Sequence, residues 1–557
     1  MSSIELSPDG LYFLPLGGTN EVGMNFSLYA YGDQWIAVDL GMGFGRLPWQ
    51  EVLVPDPGAI LPYRSHLKGL LITHAHEDHL GGIPYIWPHL RCPVYATAFS
   101  AYLIREKLQE FDLVDKVPLI EVAPQATIQL GVFSAQFISV THSVPESSIL
   151  AIKTPKGTIV HTGDWRLDPT PPVGAGTDTS ALEALGKEGV RALVCDSTNI
   201  FQDAASASES YIREQLEQLV GQYPHQNIVI TCFASNVARL ESCALAAKAH
   251  GRKSLLVGRS LKRIERVARA AGYLKEVPAF LDEKTARTLP PEKILYICTG
   301  SQGESRAALS RAAEGAHPVV RLQSGDVVIF SSREIPGNEH SIAEVQNKLA
   351  GRGVRSLTIR THDVHVSGHP SKEELKKLYS WVRPELVVPI HGGARQLLEH
   401  ADFAREQGVR EVLVPHDGLL LRLDAGADQS HQEVKARTLV VDGLVLLPRQ
   451  GKAHQERLRG ASEGIVFVTV SAKGKQGKLL KMSAYGLFEE SEQKEEQRLL
   501  EAVQDDFEEL CGGGNRERAR EGSREPSHGL HKAVSTVVRK IFAQERGRKP
   551  QVVVHIV

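Results

Sequence analysis

Six residues constrain this chain more than any others: His74-Ala75-His76-Glu77-Asp78-His79, set between the apolar run 69–73 and Leu80-Gly81-Gly82. Residues two apart on extended backbone point the same way, so His74 and His76 can grip one ion. Asp78 and His79 fall where the chain turns toward a helix, which re-aims them at a neighbouring ion. Imidazole suits Zn, Mn or Fe, and the carboxylate adds a hard oxygen ligand. With 22 histidines in 557 residues, this spacing arises by chance only about 2 × 10⁻³ times. The alternative is a solvated polar turn. Four residues cannot fill two coordination shells, so further ligands must come from distant segments.

Candidates stand at the ends of other strand-like runs: His142 after 137–141, Asp164 after 157–162, and His391 after 386–390. Side chains at strand ends converge on one crevice. Asp164 has two oxygens and can bridge two ions. Ions roughly 3.5–4 Å apart activate a water and also hold a phosphoryl oxygen. His161, beside Asp164, points the other way on its strand and reads as a core or supporting residue. His317, His340, His362 and His400 have no partner visible in the sequence.

At ~100–200 residues per domain, the length implies three or four domains, or one large core with additions. Residues 1–200 hold short apolar strands divided by Gly/Pro turns, for example 35–40, 93–96 and 191–195, with helical patterns such as 99–111 between them. This favours α/β architecture with a mixed or antiparallel sheet rather than pure βαβ repeats. From about 205 the pattern becomes helix 206–223, strand 227–233, helix 236–250, strand 254–257 and helix 262–271, with strands at 293–298 and 326–330. Such alternation predicts a parallel sheet with crossover helices. Around 355–360 and 385–390 the strand style of the first unit returns, so the second unit is inserted into the first.

A polar connector at 448–463 follows, then a small α/β domain with paired strands at 465–471 and 478–484. Residues 489–510 form a helix with ten acidic and two basic residues, net −8. Residues 511–550 carry ten basic and four acidic residues, net +6. Within them Ala533, Val534, Val537, Val538, Ile541 and Phe542 make an apolar helical stripe. A loop is expected at 512–528, and an apolar terminal strand at 551–557.

Overall charge nearly cancels, 64 basic against 66 acidic. That excludes nucleic-acid binding by bulk basicity but not a local basic channel. The six cysteines form no CxxC pair, and most sit in apolar runs, as reduced buried thiols of a cytoplasmic protein do. Neither a signal-peptide pattern nor an apolar run of about 18 residues is visible.

These ligand candidates resemble the dinuclear site of the metallo-β-lactamase fold. Asp39, in Val38-Asp39-Leu40-Gly41, matches that fold's first motif, where it orients a ligating histidine; an Asp-Gly turn cap is the alternative. A closer match follows. Asp196 in Cys195-Asp196-Ser197-Thr198 resembles the acidic motif opening the β-CASP insertion, and 365–369, His-Val-Ser-Gly-His, resembles its histidine motif. Asn20–Asn25, 233–236, 299–304 and 336–339 also match. Together, over roughly 10–447, they resemble the bacterial ribonuclease J family, with a looser likeness beyond.

The resemblance implies a metallo-β-lactamase αββα sandwich (1–205 and 361–447), an inserted β-CASP α/β domain (206–360), the linker 448–463 and a small C-terminal α/β domain (464–557). It implies two divalent ions per subunit, Zn or Mn, with Mg or Mn also supporting activity, held by His74, His76, Asp78, His79, His142, Asp164 and His391. The implied reaction is phosphodiester hydrolysis in RNA maturation, including rRNA processing, and in mRNA decay. It runs 5′-to-3′ on 5′-monophosphate RNA, with endonucleolytic cuts as well. A metal-activated hydroxide attacks phosphorus, with Asp78 at the metals. His369 protonates the leaving oxygen, and Asp196 orients His369 and raises its pKa.

A pocket of Ala234, Ser235, Asn236, His365, Val366, Ser367, Gly368 and His369 would hold the 5′-phosphate; the alternative for the first three is a capping turn. Implied partners are single-stranded RNA, a second copy through the C-terminal domain (a tetramer being the alternative), and RNA-decay proteins, with no membrane. Arg239 either touches a phosphate or lies on a solvated helix face. Residues 299–304 look like a phosphate cradle but lack the following Lys-Ser/Thr of a P-loop, so they read as a loop facing the channel. Competing classes are a β-CASP DNA-processing nuclease, a small-molecule metallo-hydrolase and a metal-free RNA-binding scaffold.

Overall fold

The structure is a computed structural model and describes residues 4–45, 47, 52–426, 432–471, 478–512 and 526–557. It divides into two compact units, Met1–Leu446 and Leu447–Val557.

In the first unit two large sheets pack face to face. One has eight described strands, in the order Gln432–Glu433, Leu419–Arg422, Leu11–Gly17, Phe26–Tyr31, Gln34–Val38, Leu67–Leu71, Val94–Ala96 and Leu119–Glu121. The other has seven: Glu411–Val412, Pro384–Ile390, Val190–Asp196, Gly157–His161, Ser148–Thr154, Phe133–Ser139 and Thr127–Leu130. Their facing side chains, among them Phe13, Tyr29, Ile36, Leu71, Phe137, Leu150, Val194 and Val388, form one buried layer. Helices cover both outer faces. Ile83, Ile86, Phe99 and Leu103 pack on the first sheet, and Leu182, Leu375, Leu378 and Phe403 on the second. This is the expected αββα sandwich. Central strands are covered on both faces, so Leu11–Gly17 is buried at every position and shows no polar alternation.

The inserted part has a five-stranded, wholly parallel sheet, ordered Lys253–Val257, Ile294–Cys298, Ile228–Thr231, Val327–Phe330, Arg355–Leu357. The last strand corrects the likeness of 355–360 to the strand style of the first unit and keeps it within the 206–360 insertion. Arg355–Leu357 pairs with Val327–Phe330 and is the edge of the inserted sheet. The chain does return at Pro384–Ile390, parallel to Val190–Asp196.

In the second unit, Ile465–Ser471 is flanked by antiparallel Lys478–Tyr485 and parallel Gln551–Ile556. Helices Gln493–Gly512 and Pro526–Arg546 supply Leu499, Val503, Phe507, Val534, Val538 and Phe542 to its core. The stretch 448–463, expected to be a connector, holds the helix Lys452–Glu463. Its polar sequence masked a helix that buries little more than His454. Most of the loop expected at 512–528 lies outside the described residues. Cys92, Cys195, Cys232, Cys243 and Cys298 are buried and free. Among the described residues no helix is long and apolar enough to cross a membrane.

Candidate metal centre

Strand Leu67–Leu71 stops three residues short of His74. His76 is then the extended N-cap, φ −80° and ψ 152°, of the one-turn helix Glu77–Leu80. That change of backbone splits the motif in the way its spacing predicts. His74, His76, His142 and Asp164 bring donor atoms within 4.8 Å of one another, and Asp78, His79, Asp164 and His391 do the same.

In the first group His76 Nδ1 lies 3.1 Å from both His74 Nε2 and His142 Nε2. Asp164 Oδ2 faces these rings, 3.7 Å from His74 Nε2 and 3.8 Å from His142 Nε2. Asp164 Oδ1 faces the second group, 3.2 Å from His79 Nε2 and 3.4 Å from His391 Nε2. Asp78 Oδ2 closes that group at 3.5 and 3.7 Å from the same nitrogens.

The residues present fit divalent cations. Asp164 Oδ1 is buried and, among the described residues, accepts no well-aligned hydrogen bond, only the close approach of the two Nε2 atoms. Three of the rings have their outer nitrogen on an acceptor. His79 Nδ1 donates to Asp39 Oδ2 at 2.7 Å, His142 Nδ1 to the Gly368 carbonyl at 2.6 Å, and His391 Nδ1 to Asn25 Oδ1 at 3.0 Å. Those bonds turn the Nε2 lone pairs inward. Burial and neighbouring imidazoles hold His74 and His142 well below the ordinary histidine pKa, which keeps both neutral. Around His391 burial is outweighed by Asp164, Asp196 and Asp78, which push its pKa up to about 9. The carboxylates thus draw a positive charge into that half of the site, a proton or a cation in its place.

Asp39 adopts φ +60° and also accepts from Thr73 N at 2.8 Å, so it ties the end of the ligand strand to His79. His161 bonds Tyr29 Oη at 2.8 Å, away from the centre.

A third group, Asp164, Asp196, His369 and His391, lies alongside. His369 Nδ1 donates to Asp196 Oδ2 at 2.8 Å. Burial opposes a charge on His369, but Asp196 and then Asp164 overcome it and raise its pKa. His369 is 20% exposed while Asp196 is fully buried, so the imidazole meets the crevice and the carboxylate stays behind it. The chain beyond is anchored by a capping box, in which Ser371 and Glu374 bond each other's backbone N–H and start the helix Lys372–Val382.

Asn236, Val366, Ser367 and Gly368 line one cavity with His142 and Arg166. Asn236 Oδ1 accepts from Arg239 N at 2.9 Å and caps the helix Val237–Ala249. Ala234 and Ser235 are half-buried on the same turn. His365 packs against Phe233 with ring centroids 6.3 Å apart and lies 3.5 Å from Arg239 Nη1. A Cβ at position 368 would meet His142 Cε1 at 2.7 Å, so this position requires glycine.

Arg239 is neither on a solvated face nor free for phosphate. It is fully buried, bonded to Glu209 at 2.7 and 3.1 Å and to Ser331 O, Ser331 Oγ and Val364 O. Residues 299–304 hold a neighbouring loop in place. Gln302 clasps the 333–338 loop, accepting from Ile335 N and donating to Arg333 O, both at 2.9 Å. His400, without a partner in the sequence, bridges Ser197 Oγ and Tyr379 Oη. Asn25, Arg166, Asn199 and Arg333 were not singled out as site residues. Asn25 lay in a matched motif, but its contact with His391 spans 366 residues.

Four families match the chain in succession: a beta-lactamase superfamily domain over 34–185, the ribonuclease J beta-CASP domain over 225–349, a Zn-dependent metallo-hydrolase RNA specificity domain over 356–415, and the ribonuclease J C-terminal domain over 453–557. The ribonuclease J of Sinorhizobium meliloti is 38% identical over 556 residues, 98% of this chain and 97% of that one. This chain belongs to the ribonuclease J family. The ribonuclease J of Thermus thermophilus is 34% identical, covering 83% of each chain. A solved structure of a protein of unknown function from Enterococcus faecalis shares the fold, with a TM-score of 0.52 and 18% identity over 74% of this chain and all of that one. Membership in the ribonuclease J family makes the chain a metal-dependent ribonuclease, a hydrolase that binds RNA and divalent metal.

Proposed function

We propose that this ribonuclease digests single-stranded RNA from a 5′-monophosphate end in the 5′-to-3′ direction, and cuts internally where a strand reaches the crevice, in RNA maturation and mRNA decay. One observation carries the reading. Two donor groups share Asp164, one oxygen to each, and the His369–Asp196 pair stands beside them.

Two divalent ions, Zn or Mn with Mg or Mn also active, would be held by His74, His76, His142 and Asp164, and by Asp78, His79, Asp164 and His391. Bound there, they supply Lewis-acid activation of a water and neutralise charge on the phosphoryl group. Asp39, Asn25 and the Gly368 carbonyl keep three imidazoles oriented toward them. His369 holds its transferable proton at Nε2, since Nδ1 is committed to Asp196, and gives it to the leaving 3′-oxygen. The 234–236 turn and the 365–368 segment take the terminal phosphate with hydroxyl and backbone donors. Free buried cysteines support a reducing, cytoplasmic setting.

The test is end-labelled 5′-monophosphate RNA with metal-stripped enzyme, restored separately by Zn²⁺, Mg²⁺ and Mn²⁺. Single nucleotides released from the 5′ end are expected; internal fragments alone would overturn the direction. We further propose a homodimer formed through the C-terminal unit. A chain ending at Leu446 is then expected to be monomeric by light scattering, and an unchanged oligomer counts against this.

A further inference from the structure

Three guanidinium groups converge on the 365–369 segment, and two of them are neutralised. Arg239 is paired with Glu209 at 2.7 Å, and Arg166 with Asp168 at 2.6 Å. Arg333 differs. Among the described residues no carboxylate lies within ion-pairing distance of it. Its Nη1 donates to Asn199 Oδ1 at 2.5 Å and lies 3.5 Å from Ser367 Oγ, and its other guanidinium N–H groups make no hydrogen bond among the described residues. Arg333 is half-buried, and desolvation alone lowers its pKa. A partly desolvated cation with no counter-charge is costly and is normally compensated by a partner.

Its neighbour Ser367 is prepared in a complementary way. Ser367 Oγ accepts from Asn199 Nδ2 at 2.7 Å and from His369 N at 3.3 Å. With its lone pairs engaged, its own O–H is left to donate. Gln302 holds the Arg333 backbone from the other side through the Arg333 carbonyl, so the guanidinium is placed before any ligand arrives.

We propose that Arg333 is a selectivity residue whose guanidinium, together with the Ser367 hydroxyl, binds the 5′-terminal phosphate dianion of the RNA. The inference rests on the 5′-monophosphate reading above. A terminal monophosphate carries about −1.5 to −2 charge and three acceptor oxygens, which a planar fork of donors matches. A 5′-hydroxyl end offers this cation nothing.

The experiment compares kcat/KM on 5′-monophosphate and 5′-hydroxyl RNA of one sequence, for the wild-type protein, Arg333→Gln and Arg333→Lys, with metal content measured on each. The ratio of the two values is expected to fall at least about tenfold in Arg333→Gln, through KM on the phosphorylated strand. Arg333→Lys, which keeps the charge without the fork, serves where Arg333→Gln does not fold. It is expected to lower the ratio at least about threefold, and an unchanged ratio overturns the assignment. A high wild-type ratio that Arg333→Gln preserves, with both substrates declining together, makes Arg333 a scaffold residue and sinks this inference alone. A wild-type ratio near one overturns the 5′-monophosphate reading itself.

Discussion

His142 Nδ1 donates to the carbonyl oxygen of Gly368 across 2.6 Å. The bond joins an imidazole of the first donor group to the 365–369 segment, 226 residues away in sequence. It also leaves no room for a side chain at 368, where a Cβ would stand 2.7 Å from His142 Cε1 and 2.9 Å from Nδ1. Gly368→Ala must therefore displace the imidazole or the segment. Metal affinity is expected to drop about 10–100-fold, measured as metal retained after dialysis against a weak chelator, with turnover falling alongside. An alanine variant with full metal content and full turnover would falsify the link.

His369 lies beside the metal-facing residues but is paired to Asp196, so His369→Ala should separate binding from chemistry. Metal content is expected to stay at the wild-type level while kcat drops about 10²–10⁴-fold. Loss of metal together with activity would instead make His369 a ligand, which the third donor group allows by geometry.

Arg239 and Glu209 form a buried pair, and Arg239 also holds Ser331 and Val364. Arg239→Met leaves the Glu209 carboxylate buried without its cation. Breaking such a pair from one side costs about 3–5 kcal/mol, to be read from denaturant unfolding of the metal-loaded protein. A loss below about 1 kcal/mol, the scale of an exposed pair, would contradict the burial seen here.

Asp417 accepts from Thr19 N and Thr19 Oγ1, but burial dominates and pushes its pKa up to about 6. The folded value lies above the unfolded one, near 3.9. Its contribution to stability is therefore complete below about pH 4 and is lost as pH rises through about 6. Asp417→Asn keeps the shape and removes the ionisation. The melting temperature of the variant relative to wild type should rise between pH 4 and 7, by the equivalent of about 2 kcal/mol. A difference that stays flat over that range would show that Asp417 is not strained by ionisation.

The α/β architecture and the inserted parallel sheet were legible because strand runs, turns and helix periods follow from local patterning, whereas the αββα layering came from the resemblance of the motifs. Arg355–Leu357 read like a strand of the first unit because an edge strand of three residues carries no mark of the sheet it joins; only its pairing with Val327–Phe330 decides that. The helix Lys452–Glu463 was missed for the opposite reason, having almost no apolar face to give a period. At the site, His74, His76, Asp78 and His79 are neighbours in sequence, so their chemistry could be read directly. Asn25 could not, because an amide acquires meaning only from the imidazole it meets.

The sequence by itself determined the donors of the 74–79 motif and their split into two directions, since both follow from residue chemistry and backbone period over a few residues. Only the tertiary structure decided which nitrogen of each imidazole faces the centre, and which arginine stays uncompensated. Arg239 and Arg333 are alike as letters. One folds against Glu209 and disappears into the core; the other reaches Asn199 and Ser367 and meets no carboxylate among the described residues. A charge is cancelled by what lies within a few ångströms of it, and that depends on chain segments brought together from far apart.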